Sequence, residues 1–392
     1  MQKYIKRGLE PILAKASKTF PAIIVTGPRQ SGKTTLVKNL FGKNHAYVSF
    51  DDPDIRLLAA KEPQLFLKNY PPPLIIDEVQ YVPEIFSYLK MIIDQNRQLP
   101  GQIILTGSQL FPLMADVAES LAGRIAVFNL LPLSLTERFP QPINLTQLKQ
   151  AVFLGGFPEL SVNRKINSLL WFSSYIQTYL ERDIRQLKQV ANLTDFQRFL
   201  QLAAANNGQI VNLSGLANDL GVAVNTVKSW LSLLEASGQI SLIKSYYRNR
   251  GKRLIKSPKL YFLDTGLFCH LVGLTNPDQI FIGPFSGCHL ETLVLSEIYK
   301  HFYNQGLTPK VYFWRTSAQQ EVDFIVEDRG QIIPLEIKLT AKANLNMTKS
   351  LTNFMELFKL PKGFIVNLGD KTTFLSNQVT SLPISNLLKI FN

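Results

Sequence analysis

Gly27-Pro28-Arg29-Gln30-Ser31-Gly32-Lys33-Thr34-Thr35, entered from the apolar run Ala22-Ile23-Ile24-Val25-Thr26, decides how the rest of the chain is read. It fits the phosphate-binding pattern of Gly, four free positions and Gly-Lys-Thr, set between a buried strand and an amphipathic helix. Gly27 and Gly32 let the backbone wrap closely around an anion, so that N–H groups of the turn point inward at phosphates. Lys33 adds a point charge for the terminal phosphates, Thr34 offers a hydroxyl to Mg²⁺, and the helix opening there contributes its positive dipole end. Pro28, Arg29, Gln30, Ser31 and Thr35 complete the expected nucleotide-binding stretch.

Downstream, Leu74-Ile75-Ile76-Asp77-Glu78 is an apolar strand running into two carboxylates, as expected of a central parallel strand with its acidic tip at the ligand edge. Asp77 is expected to hold Mg²⁺ through water, and Glu78 to orient and deprotonate the attacking water. Strand and helix alternate around these two stretches, which predicts an open, mostly parallel sheet with ligands at its carboxyl edge. Ala46 to Phe50 is a second strand, Glu84 to Ile93 a helix, Gln102 to Gln109 a further strand, and Ile125 to Leu130 the last. Residues up to about Phe20 read as a helix through Ile5, Leu9, Ile12 and Leu13. In nucleotide hydrolases with a strand between phosphate loop and acidic strand, Ser108 or Thr106 occupies the place of the polar residue that senses the terminal phosphate. Arg124, just before the last strand, is a candidate arginine finger, acting on a neighbouring subunit's nucleotide in a homo-oligomer or in cis.

Pro140 to about Asn207 reads as helical, interrupted by Gly155-Gly156-Phe157-Pro158-Glu159, and could form a lid or a bridge. Leu213 to Leu231 has the pattern of a helix-turn-helix: a helix opened by Ser214, a turn at Gly221, and a helix opened by Asn225. Gln239 to Ser245 is then a strand. Tyr246 to Leu260 carries Arg248, Arg250, Lys252, Arg253, Lys256 and Lys259 with no acidic residue, the signature of a basic wing with its tip at Asn249-Arg250-Gly251. Cations beside Tyr246 and Tyr247 suit phosphate contacts plus stacking, so DNA is the expected partner.

Past Phe285, a helix carries Glu291, and Glu321 to Glu327 pairs as a hairpin with Ile332 to Leu339. Alternation puts Glu336 and Lys338 on one face, with Ile333, Leu335, Ile337 and Leu339 on the other, and Asp323 on the adjacent strand reaches the first face. Two carboxylates with a lysine are what metal-dependent phosphodiester cleavage needs: Asp323 and Glu336 for Mg²⁺ or Mn²⁺, and Lys338 for the nucleophilic water, with Glu291 on the helix upstream adding weight to the reading.

With 392 residues the chain accommodates two or three domains. A net charge of +13 favours a polyanionic partner. No apolar run approaches a membrane span and the first residues lack a signal peptide's apolar segment, so a cytoplasmic protein is expected. Cys269-His270 and Cys288-His289 read as ordinary packing, because adjacent side chains diverge and seldom ligate one ion.

The phosphate loop, Asp77-Glu78-Val79-Gln80, Thr106-Gly107-Ser108, Leu121-Ala122-Gly123-Arg124, Gly155-Gly156-Phe157-Pro158-Glu159, Lys256-Ser257-Pro258-Lys259 and Asp264-Thr265-Gly266-Leu267 together resemble one family over nearly the whole chain. It is the prokaryotic AAA-type ATPases with a C-terminal domain of uncharacterised function and a restriction-endonuclease-like core. The resemblance implies an α/β multidomain chain: an AAA-like P-loop ATPase domain (1–139), a helical lid or linker (140–207), a winged helix domain with a basic wing (208–284), and a domain similar to the PD-(D/E)xK nucleases (285–392). It implies ATP as the nucleotide, and it places Glu291, Asp323, Glu336 and Lys338 on that superfamily's metal and lysine positions. Val322 stands where its pattern has proline. The competing expectation is a nucleotide-switched DNA- or protein-binding regulator with an inactive nuclease-like scaffold.

Overall fold

The computed structural model describes residues 4–108, 120–139, 142–163, 165–180, 193–247 and 257–391. Gln109 and the basic run with Arg248, Arg250, Lys252, Arg253, Lys256 and the tip Asn249-Arg250-Gly251 lie outside the described residues.

The first sheet has the order β2-β3-β4-β1-β5, all parallel, formed by β1 (Ala22–Gly27), β2 (Ala46–Ser49), β3 (Leu74–Asp77), β4 (Ile103–Ser108) and β5 (Ile125–Asn129). Every residue of β1, β3 and β4 is buried, because helices cover both faces and a parallel sheet so covered is apolar throughout. On one face Ile23, Val25, Ile75 and Ile104 meet α1 (Glu10–Ala16) and α2 (Lys33–Phe41) through Leu9, Leu13, Leu36 and Val37. On the other, Ala22, Ile24, Ile76 and Leu105 meet α3 (Pro53–Lys61), α4 (Pro63–Asn69) and α5 (Ile85–Gln95). Ile85, Phe86, Leu89 and Ile93 bury the apolar stripe of α5, each side chain contributing roughly 1.5–3 kcal/mol. β4 lies between the loop strand and the acidic strand, as expected from the sequence.

The N-terminal helix is shorter than its periodicity suggested. It starts at Glu10 with Pro11 in its first turn, where a missing N–H costs nothing. Residues 4–9 are not helical, and the Arg7 N–H is held by the Glu10 carboxylate at 2.7 Å.

A short helix α6 (Leu135–Arg138) leads to α7 (Leu145–Leu154), α8 (Pro158–Val162), α9 (Ser168–Tyr175) and α10 (Leu193–Ala205). The helix-turn-helix consists of α11 (Leu213–Leu220) and α12 (Val224–Ala236), with Gly221 closing α11 in the left-handed region. Its caps differ from expectation. Asn212 rather than Ser214 caps α11, by accepting the Gly215 N–H, and α12 starts after Ala223 with no side-chain cap, leaving Asn225 inside the helix.

β6 (Ile240–Ser245) and β7 (Lys259–Phe262) form an antiparallel hairpin, followed by α13 (Thr265–Leu271) and the long α14 (Ser286–Asn304). The hairpin is not confined to a separate winged unit. β6 pairs in parallel with β8 (Val311–Arg315) at Lys244–Tyr312 and Ser245–Phe313. It thereby joins an eight-stranded sheet of order β12-β13-β11-β10-β9-β8-β6-β7, completed by β9 (Glu321–Asp328), β10 (Gln331–Ile337), β11 (Gly363–Asn367), β12 (Thr373–Phe374) and β13 (Val379–Pro383), with α15 (Lys349–Phe358) packed on it. One core also unites Leu135, Leu148 and Val152 with Leu290, Val294 and Phe324. The boundaries expected at 139/140 and 284/285 therefore cut through shared packing, which a local reading of turns and composition does not see.

Candidate functional site

The phosphate loop is built on two glycines. Gly27 has φ +146° and Gly32 φ +93°, and a Cβ on Gly27 would stand 2.2 Å from the Leu130 carbonyl oxygen, so the loop's entry admits glycine alone. Buried Lys33 folds back over the loop, its Nζ donating to the carbonyls of Gly27 at 3.1 Å and Pro28 at 2.9 Å. Thr34 Oγ1 lies 2.8 and 3.0 Å from the two carboxylate oxygens of Asp77. Asp77 also receives the Thr106 hydroxyl and, at 2.8 Å, the Tyr47 hydroxyl. Burial, then the Asp77 charge, push the Tyr47 phenol upward, so it stays a donor.

Glu78 follows at φ +55°, an uncommon conformation for a residue with a side chain. Its carboxylate takes the Gln80 amide and its N–H reaches Thr106 Oγ1 at 3.3 Å. Ser108 is paired beside Gly27, and the hydroxyls of Ser31 and Ser108 are buried with no hydrogen-bond partner among the described residues. Oxygen donors at Thr34 and Asp77, an ammonium resting on main-chain carbonyls, and two unsatisfied hydroxyls at one sheet edge fit a Mg²⁺ nucleotide.

A cavity of about 540 Å³ opens over this edge, within the usual range for a small ligand. Arg29, Gln30, Gly32, Lys33, Thr34, Thr35 and Glu78 line one side. Two further walls are Pro158, Glu159 and Val162 from α8, within the stretch expected to form a lid or a bridge, and Tyr4, Ile5 and Arg7 from the N-terminal segment, which was not anticipated. Arg7, 4 % exposed, donates to the Ser31 carbonyl at 2.8 Å and the Leu131 carbonyl at 2.6 Å, and pairs with Glu137 at 3.1 Å. The Gly155-to-Glu159 run owes its shape to Asp264: a Cβ on Gly155 would meet Asp264 Oδ1 at 2.2 Å, and Gly156 N–H donates to Oδ2 at 2.8 Å. In the sequence that run stood out as a helix break and as one of the motifs of the family resemblance, with nothing to link it to Asp264 in space.

Arg124 is elsewhere. Its carbonyl accepts the N–H of Ala22, the first residue of β1, so it sits at the opposite edge of the sheet from Gly27, roughly a strand's length or ~17 Å away. Its guanidinium forks onto Asp94 at 2.6 and 2.9 Å. This placement removes the in-cis finger: a residue preceding a parallel strand starts at the edge away from the ligand.

In the C-terminal sheet the antiparallel register pairs Leu335 with Phe324, which sets Glu336 opposite Asp323. Asp323 Oδ2 accepts the Ile337 N–H at 2.7 Å, and Lys338 Nζ lies 2.6 Å from Glu336 Oε1. Glu336 Oε2 is buried without a partner among the described residues. Glu291, from α14, accepts the Tyr261 hydroxyl at 2.7 Å. Burial, then the Asp323 charge, push Glu291 up to about 7 and Glu336 up to about 8. Burial also raises Asp323. Burial alone would lower Lys338, but the Glu336 carboxylate outweighs it and the ammonium is held. All donors are carboxylate oxygens, which suits a hard divalent cation. As placed they do not converge into a cage: no group of three or more His, Cys, Asp or Glu among the described residues does.

Three expectations are corrected here. Lys259 was assigned to the basic wing, yet it is 4 % exposed and paired with Glu321. Tyr246, expected to stack on bases, is buried against Tyr312, Phe354 and Phe358. Leu339, expected on the apolar face, is 36 % exposed because β10 ends at Ile337.

The raised carboxyls have a consequence for stability. A carboxyl whose folded pKa exceeds its unfolded value stabilises the fold below about pH 4.5, and that contribution is lost as pH rises through the folded value. The melting temperature of the C-terminal sheet is therefore expected to fall between about pH 5 and 8. Glu336→Gln, which cannot ionise, should flatten that fall and melt several degrees higher than the parent at the alkaline end. Parallel melting profiles for parent and variant would refute the assignment.

The parallel sheet with β4 between the glycine loop and the acidic strand, and the Lys33, Thr34 and Asp77 geometry at its edge, define a P-loop nucleotide-binding fold. Residues 19–139 match the family model described as AAA domain, so this part of the chain is similar to AAA-type P-loop ATPases. Residues 145–278 and 286–387 match two models, each described as a domain of unknown function. An uncharacterised protein of Mycobacterium tuberculosis is 29% identical over 379 residues, 96% of this chain and 83% of its own length. One from Haemophilus influenzae is 23% identical over 86% of this chain and 87% of its own. Among solved structures, the Walker-type ATPase of Pyrococcus abyssi is 15% identical with a TM-score of 0.47, covering 68% of this chain and 96% of its own. No helix among the described residues is long and apolar enough to cross a membrane.

Proposed function

We propose that the chain is a Mg²⁺-dependent ATP hydrolase whose nucleotide state governs how its middle and C-terminal parts engage and cut DNA. The observation that carries the hydrolase reading is the Asp77 carboxylate, shared by Thr34, Thr106 and Tyr47 at the edge where Lys33 covers the glycine loop. Thr34 and Asp77 would hold Mg²⁺, which when bound neutralises phosphate charge. Lys33 leaves its two carbonyls for the terminal phosphates, and Ser108 gives its unsatisfied hydroxyl to the same end of the nucleotide. Glu78 takes the proton of the attacking water. Its left-handed backbone, costing roughly 1–3 kcal/mol, is consistent with a carboxylate held at a fixed aim. Arg124, paired with Asp94 at the far edge, acts in trans on a second subunit if it acts on nucleotide at all. Turnover unchanged in Arg124→Ala at every protein concentration removes that role.

The DNA reading rests on the helix-turn-helix, the adjoining hairpin read as a winged helix, and the chain's net charge of +13. At the C-terminal sheet, Glu291, Asp323 and Glu336 would hold Mg²⁺ or Mn²⁺, which supplies charge for a phosphodiester and an activated water when bound. Lys338, partly exposed beside Glu336, orients the nucleophile. Plasmid incubated with the protein and Mg²⁺ or Mn²⁺, with and without ATP, is expected to be cut by the parent and by neither Asp323→Ala nor Lys338→Ala. Absence of cutting with either metal favours the second reading, a nucleotide-switched binding protein with an inert C-terminal scaffold. The uncaged placement of the three carboxylates favours that reading too.

A further inference from the structure

The cavity over the phosphate loop has two unlike ends. At one, Asp51 and Glu78 come from the chain just after β2 and β3, beside the Thr34–Asp77 pair. At the other, past β1 and β5, the wall is largely apolar or aromatic, built from Tyr4, Ile5, Leu133, Pro158 and Val162. Both of its outer segments are tied to the chain leaving β5: Arg7 donates to the Leu131 carbonyl at 2.6 Å, and the Leu133 N–H to the Gly156 carbonyl at 2.7 Å. One carboxylate stands at this end, that of Glu159, half-buried in the first turn of α8. Its Oε2 accepts the Trp171 Nε1–H at 2.9 Å, and its Oε1 has no partner among the described residues. Trp171 is itself fixed. Its ring stacks 11° from parallel on Tyr175, centroids 5.2 Å apart, and lies 4.9 Å from the Phe157 centroid. Tyr175 is buried in turn and takes the Gln239 amide at 3.0 Å.

We propose that Glu159 determines the sugar specificity of the nucleotide site, its carboxylate accepting the vicinal 2′- and 3′-hydroxyls of a ribonucleotide, with Trp171 as the positioning residue that aims it. The inference rests on the nucleotide reading given above. A carboxylate repels phosphate oxygens and accepts only from donors. With the terminal phosphates at the Thr34–Asp77 end, the donors left for the apolar end are those of the sugar and the base. Pro158, the neighbour of Glu159, has its Cγ 3.4 Å from where a Cβ on Gly32 would stand, so Glu159 is one residue away from the phosphate loop. The sugar is joined directly to the innermost phosphate, whereas the base lies beyond it, where Tyr4, Ile5 and Val162 offer an apolar surface. A sugar lacking a hydroxyl leaves a carboxylate oxygen unsatisfied against that surface, and a site built around a hydroxyl rejects the analogue without it. Trp171 acts through Glu159 by holding Oε2 from behind.

The test titrates the full chain in Mg²⁺ by calorimetry with ADP, 2′-deoxy-ADP, 3′-deoxy-ADP, GDP and pyrophosphate, which avoids ATP turnover. The parent should bind ADP about tenfold or more tightly than either deoxy analogue. Glu159→Ala should lose most of that preference. Trp171→Phe, which keeps a ring against Tyr175 and removes the donor, should lose part of it. Pyrophosphate, which has no sugar, should bind Glu159→Ala no more weakly than the parent. Circular dichroism melts establish that each variant is folded. If the parent binds neither ADP nor pyrophosphate, the nucleotide reading fails and this inference with it. If the parent binds ADP and both deoxy analogues equally well, or its preference survives in Glu159→Ala, the nucleotide reading stands and the role of Glu159 is overturned. A change in the ADP-to-GDP ratio of Glu159→Ala with no change in its preference for ribose would give the carboxylate to the base and overturn the inference as well. If Trp171→Phe weakens ADP and both analogues by one common factor, Trp171 acts by packing and its positioning role is overturned.

Discussion

Lys33→Ala is expected to abolish ATP turnover and to weaken nucleotide binding by about 100-fold or more. The binding loss follows from the charge-assisted bonds that an ammonium makes to phosphate oxygens, on the order of 1.5–3 kcal/mol each. In the nucleotide-free protein Lys33 Nζ donates to the buried carbonyls of Gly27 at 3.1 Å and Pro28 at 2.9 Å, so a melt of each protein without nucleotide sets the baseline from which binding is read. Two measurements separate function from fold. Phosphate release reports turnover, and the melting shift on adding Mg²⁺ and ATP reports binding, a ligand at ~100 times its Kd contributing about 2.7 kcal/mol. The parent should gain that shift and the variant none. A variant that binds and hydrolyses like the parent would end the hydrolase reading.

The loop and acidic strand were legible because their chemistry is local: glycines at fixed spacing, a lysine and threonine at a helix start, and a carboxylate after four buried residues. The open parallel sheet with its ligand edge followed from the alternation of strand and helix. Arg7, Lys259 and Tyr261 carry no such signal. Arg7 stands near basic Lys6 before a proline-started helix, and nothing nearby in sequence announces that Glu137 and the Ser31 carbonyl will surround it. Lys259 ends a run of cations and was read with them, although its strand turns it inward onto Glu321. Asp323 and Glu336 could be paired by counting alternation along a hairpin. The union of that hairpin with the preceding one, through Lys244 and Ser245 against Tyr312 and Phe313, is a parallel contact between distant segments and leaves no periodic trace.

Arg7→Met carries the largest expected effect on stability. The substitution strands Glu137, which is buried under the N-terminal segment and α6, and takes donors from the carbonyls of Ser31 and Leu131. Breaking a buried pair from one side costs about 3–5 kcal/mol, which in a chain of this size lowers the melting temperature by roughly 4–6 °C. Glu137 keeps the N–H groups of Gly8 and Ser134, each at 2.7 Å, so the cost belongs towards the lower end of that range. Burial pulls Glu137 upward, yet Arg7 and these N–H groups hold it below its ordinary value. Its stabilising contribution is therefore present above the unfolded value near pH 4.5 and lost as pH falls through the lower folded one. The deficit of Arg7→Met should accordingly narrow in acid, where Glu137 is protonated in parent and variant alike. Adding Glu137→Gln to Arg7→Met removes the stranded charge, so the double variant should melt at or above the single one. The same substitution frees the Ser31 carbonyl at the centre of the phosphate loop, and ATP affinity should fall about tenfold, the equivalent of one charge-assisted hydrogen bond's positioning. A deficit that is constant with pH and unrelieved by Glu137→Gln would show that Arg7 acts by packing alone, and that the loop does not depend on it.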